Sequence, residues 1–78
     1  MTDIELLKQC IEDSGMRMNA IAEKSGINRV TLYARLKGKG EFTATEIVGL
    51  ARALHMTDSL RDRVFLSKKL YDMQLNKA

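Results

Sequence analysis

Seventy-eight residues, 45% of them apolar and 29% charged, can build one hydrophobic core, which excludes both a disordered polyelectrolyte and two independent domains. Proline is absent and strong helix formers are abundant, so one all-α domain over residues 1–78 is expected. Net charge is only +3, but Arg17 to Lys39 holds six basic residues against Glu23 alone, a local +5 that leaves −2 elsewhere; such a block suits a polyanion, and equally a solvated face.

Thr2 followed by Glu5 has capping-box spacing and predicts the start of a first helix. Ile4, Leu7, Cys10, Ile11 and Ser14 recur on one face, and Gly15 marks its end. A short second helix is expected from about Met18 to Lys24, with Ile21 and Ala22 inward, followed by a tight break at Ser25-Gly26-Ile27. Asn28 then supplies an N-cap for a third helix that runs to about Leu36, with Leu32 and Leu36 one turn apart and Gly38 and Gly40 beyond. Thr43 and Glu46 repeat the capping-box spacing ahead of Ile47, Val48, Leu50, Ala51 and Leu54, while Phe42 is placed to staple Ile47. Thr57 or Asp58 caps a fifth helix, expected to continue to about Leu75 within 58–75.

In that last helix Leu60, Val64 and Tyr71 lie on one side, and Leu66, Leu70 and Met73 lie on another. Apolar residues on two sides imply either deep burial or a second subunit; Leu66, Leu70 and Met73 are therefore candidate dimerisation residues, with packing inside the monomer as the alternative.

No apolar run approaches the roughly 20 residues of a membrane span. Asp3, Glu5 and Lys8 interrupt the stretch where a signal peptide would be apolar, so a cytoplasmic location is expected. Cys10 is the only cysteine, which excludes an internal disulfide and a cysteine-based zinc site; it reads as a small core residue. A single His, a single Cys and scattered carboxylates offer no nucleophile and base at working spacing. The glycines are isolated, so no phosphate loop is formed. An enzyme, a cofactor, a metal and a small-molecule ligand are all unexpected.

The informative stretch runs from Met18 to Leu36 and reads as helix, turn, helix. Ala22 is small where two helices cross, Gly26 permits the positive φ of the turn, and Ile27 and Leu32 anchor the second helix to the first. Asn28, Arg29, Val30, Tyr33, Ala34 and Lys37 are left on the open side, free to enter a major groove.

These residues resemble the phage-repressor-like helix-turn-helix family, the Cro and repressor type also called XRE. The resemblance is carried by Ile21-Ala22-Glu23-Lys24-Ser25-Gly26-Ile27, Thr31-Leu32, Leu36-Lys37-Gly38-Lys39 and Leu50-Ala51-Arg52-Ala53-Leu54, and covers most of the chain. Asp62-Arg63-Val64-Phe65 with Lys68-Lys69-Leu70 is similar to the ending of small phage and prophage regulators. The resemblance implies a five-helix, lambda-repressor-like fold and a regulator that binds double-stranded DNA as a homodimer on an operator, without a cofactor.

By resemblance, Asn28, Arg29, Val30 and Tyr33 match positions that face base edges, Thr31 is a further DNA-binding candidate, and Lys37 and Lys39 match the stretch that meets phosphates. Chemistry agrees: Arg29 can grip guanine O6 and N7, and Val30 can meet a thymine methyl. For Tyr33 the alternative is partial burial against the fourth helix. Three positions depart from the pattern. Met18 stands where the family often has a phosphate-contacting Gln, so Arg17 or Asn19 is the expected substitute. Arg35 replaces an apolar residue and is expected to reach a phosphate. His55 replaces the glycine that closes the fourth helix and is read as a left-handed cap. The main rival function is a protein-interaction module of the same fold, of antirepressor or antitoxin type. RNA binding is a weaker alternative, since only four aromatic residues are available for stacking.

Overall fold

The computed structural model describes residues 2–66. These residues form five α-helices and no strands: α1 (Ile4–Ser14), α2 (Met18–Ser25), α3 (Arg29–Leu36), α4 (Ala44–Ala53) and α5 (Asp58–Phe65). Each helix places one fully buried side chain in a common core, namely Leu7, Ile21, Leu32, Leu50 and Val64. Burying a side chain of this size stabilises the fold by about 1.5–3 kcal/mol.

The first helix begins one residue later than the Thr2–Glu5 pair suggests. Asp3 is the cap, its carboxylate accepting the Leu6 N–H at 3.1 Å. The reason is tertiary: the Asp3 N–H donates to the Val64 carbonyl oxygen at 2.7 Å, which holds Asp3 in extended backbone just ahead of the first turn. An ionised carboxylate there also complements the helix dipole. The Thr43–Glu46 box forms as expected, with the Glu46 N–H on the Thr43 hydroxyl at 3.2 Å and the Thr43 N–H on Glu46 Oε1 at 3.0 Å. Phe42 is buried, and its ring meets Phe65 edge-on at 5.5 Å. It thus ties the loop before α4 to the end of α5, while Ile47 packs on the same cluster.

α4 closes at a left-handed His55 (φ 54°), where the Met56 N–H reaches the Ala51 carbonyl at 2.8 Å and the His55 N–H reaches that of Arg52 at 3.3 Å. This paired closure needs a positive φ but not a glycine.

α4 approaches the end of α2 closely at Gly49. A Cβ at this position would overlap the Ser25 carbonyl oxygen, so α4 rests backbone to backbone on the end of α2. Ser25 is itself buried, its hydroxyl donating to the Ala22 carbonyl at 3.1 Å and accepting the Ile27 N–H at 3.4 Å. The turn between α2 and α3 is therefore clamped from inside by its own serine and from behind by α4.

Thr57 caps α5, accepting the Leu60 N–H at 3.1 Å. The helix ends at Phe65, and Leu66 leaves it in extended backbone with 44% of its surface exposed. The remainder of the helix expected to reach Leu75, including Leu70, Tyr71 and Met73, lies outside the described residues. Among the described residues no helix is long and apolar enough to cross a membrane.

Candidate nucleic-acid interface

Leu32 and Leu36 fix α3 to the core by one face. Spacings of three and four residues then put Arg29, Val30, Tyr33 and Lys37 together on the opposite face. All four are exposed, and Val30 is exposed to 74%. An aliphatic side chain so open to water has no role in the core, and at the start of a helix it is available to an apolar group such as a methyl. Tyr33 is 44% exposed, so part of its ring is open to a ligand.

The two helices are braced at their first turns. Arg29 Nη1 donates to Asn19 Oδ1 at 2.9 Å, across ten residues of sequence. Of the two substitutes expected for the missing glutamine, Asn19 is the one joined to α3. Arg17 precedes α2 as an exposed cap residue without a side-chain capping bond. The brace leaves Arg29 Nε and Nη2 for a ligand.

Asn28 has a structural duty as well. Its Oδ1 accepts the Val30 N–H at 2.8 Å and so caps α3. Two-point recognition of adenine draws on both the oxygen and the nitrogen of an Asn amide. With the oxygen engaged, Nδ2 is the group that remains to donate. Thr31 is half-buried on the shoulder of the face. Lys37 and Lys39 are exposed directly after α3.

Arg35 stands apart from this set. Its guanidinium is held by Glu46 Oε1, 3.4 Å from Nε, and by the Lys39 carbonyl oxygen, 3.4 Å from Nη1. The side chain expected at a phosphate has two protein acceptors here. Glu46 and Gly49 were missed as residues that shape the site. In the sequence Glu46 reads only as a cap, and no local pattern announces Gly49's contact.

The arrangement is two short helices with a clamped turn between them, and one exposed face on the second helix flanked by cations. The helix-turn-helix family profile matches residues 7–59, from the middle of α1 into the first turn of α5. The chain belongs to the XRE-type helix-turn-helix family. No curated protein and no solved structure matches it. Its family is one of DNA-binding regulatory domains rather than of enzymes. In helix-turn-helix terms, α2 and α3 are the two helices of the motif, and residues 26–28 are its turn. The fold is consistent with the lambda-repressor-like arrangement.

Proposed function

We propose that this helix-turn-helix protein is a sequence-specific regulator of transcription that acts in the cytoplasm as a homodimer and represses by occupying an operator. The observation that carries the reading is the α3 face: Arg29 is braced by Asn19, Val30 is open to water, and Lys37 and Lys39 flank the far end. In the major groove, Arg29 would take guanine O6 and N7, Val30 a thymine methyl, and Asn28 Nδ2 a base or phosphate oxygen, with Tyr33 beside them. Arg17, Lys37 and Lys39 would meet phosphates and release counterions, which fixes register without reading sequence. From Asn28 to Gly40 the chain contains no acid, as a surface built against phosphates requires.

Two reading helices about 34 Å apart would span successive major grooves of a near-palindromic site. Exposed Leu66, just past the end of α5, supports a contact between subunits; from the sequence, Leu70 and Met73 are proposed to join it.

The test is a titration of the purified protein against DNA from upstream of its own gene and against a scrambled duplex, at two salt concentrations, with Arg29→Ala alongside. Preference for the upstream DNA, with loss of about 1–3 kcal/mol in the variant, is expected. Equal binding of both duplexes, unaffected by Arg29→Ala, would refute the reading and leave a protein partner as the target of α3. Sedimentation of a Leu70→Glu variant checks the dimer; an unchanged mass would remove that surface.

A further inference from the structure

Arg35 occupies the last turn of the reading helix, yet it is committed to the protein. One guanidinium joins three segments: α3, which carries it; the loop behind α3, through the Lys39 carbonyl; and the first turn of α4, through Glu46. Glu46 Oε1 also receives the Thr43 N–H, so the same carboxylate oxygen that caps α4 anchors Arg35. The backbone passes directly against the guanidinium: a Cβ on Gly40, which has a φ of 85°, would run into Arg35 Nη1.

The loop from Lys37 to Glu41 contains glycines at 38 and 40, and each glycine carries a large backbone entropy that something must restrain. Lys39 sits between them. The Arg35 contact with its carbonyl is a charge-assisted tether at the middle of that loop. Seating a phosphate on Arg35 instead would mean withdrawing the guanidinium from Glu46. That carboxylate, only 19% exposed, would be left without its cation.

We propose that Arg35 is a positioning residue: it holds the Lys37–Gly40 loop against the start of α4, so that Lys37 and Lys39 meet the phosphate backbone while α3 lies in the groove. The assignment rests on the DNA-binding reading above, and makes Arg35 and Glu46 participants in binding that touch no DNA.

The experiment uses the full chain with the duplex it prefers, and measures affinity between 0.05 and 0.2 M salt for Arg35→Met, Lys39→Ala, their combination and Glu46→Gln, which keeps the capping box. Arg35→Met should weaken binding roughly fivefold and lower the slope of log affinity against log salt by about one, because the Lys39 contact goes with it. Adding Lys39→Ala should then cost less than about twofold more, and base preference at the position read by Arg29 should not change. Glu46→Gln should weaken binding in the same direction. Additive losses, each lowering the slope by about 0.9, together with tighter binding by Glu46→Gln, would overturn the proposal in favour of a direct phosphate contact. Wild-type affinity in Arg35→Met would overturn it too. If Arg35→Met does not fold, the sign of the Glu46→Gln effect decides. A wild-type protein that prefers no duplex would instead refute DNA reading itself, and is visible before any variant is made.

Discussion

Replacing Gly49 with alanine sets local helix preference against tertiary packing, and the two predict opposite signs. In the interior of a helix, Gly→Ala favours the helix by about 1 kcal/mol. Here the added methyl would overlap the Ser25 carbonyl oxygen, a backbone atom at the end of α2. A side chain could rotate away; Ser25 cannot, because its hydroxyl and the Ala22 and Ile27 bonds fix it in place. α4 must withdraw, and its buried Leu50 shares the strain. Overpacking costs about 1–3 kcal/mol, and an immovable backbone neighbour places this case in the upper half of that range. After the helix gain the net loss is about 1–2 kcal/mol. For a domain of this size that corresponds to a melting temperature lower by about 5–15 °C, read by circular dichroism at 222 nm. Because α4 also supports the reading turn, DNA affinity should fall with it. A variant that melts at or above the wild-type temperature would show that α4 does not rest on α2 at Gly49, and would refute the packing described for the turn.

Asn19→Ala should relax base preference at the position read by Arg29, whereas Asn19→Asp should retain preference while lowering overall affinity, since the acceptor stays and a negative charge enters the interface; loss of preference in both would mean that Asn19 acts through its amide donor. His55→Gly should raise stability by about 0.5–1 kcal/mol in thermal or denaturant melts, because the left-handed cost falls away and only part is returned as glycine entropy; a loss would reveal a contact made by the imidazole. Burial, and secondarily the nearby Asp13 carboxylate, push the Cys10 thiol above its ordinary value of 9.0. The folded state therefore holds the proton more tightly than the unfolded chain, so this contribution to stability is complete below the ordinary value and fades as pH rises through the folded one. Alkylation by iodoacetamide should accordingly be slower in the folded protein than in urea at pH 8–9, and equal rates would contradict the burial.

What the sequence revealed is governed by range. The caps at Thr43 and Asn28, the left-handed positions at Gly26 and His55, and the buried faces of α1 to α3 depend on residues within four or five places of one another, and periodicity and hydrogen-bonding chemistry suffice for them; in α4 the expected face is corrected at Val48, which is 52% exposed while Ala53 is buried instead. At the start of α1 the cap expected at Thr2 is taken by Asp3, which is held in place by Val64, 61 residues on. The partners of Arg35 were hidden for the same reason. Its character as a cation on the reading helix was plain, but its partner lies eleven residues on, in a carboxylate already accounted for as a cap. Gly49 carried no signal at all, because a glycine inside a helix looks the same whether it is tolerated or required. The shared exposed face of Arg29, Val30 and Lys37 was legible from helical spacing alone, whereas the bond from Asn19 to Arg29 needed the crossing of two helices to bring it about.

The hydrogen bond from the Asp3 amide to the Val64 carbonyl joins the first residue before α1 to the penultimate residue of α5. Neither helix can fray at that end without releasing the other, so the amides of α1 and α5 should exchange with deuterium together, as one cooperative unit. The reading turn is secured elsewhere, by Ser25 and Gly49. Local openings of the terminal pair can therefore come and go while the surface proposed to meet DNA keeps its shape.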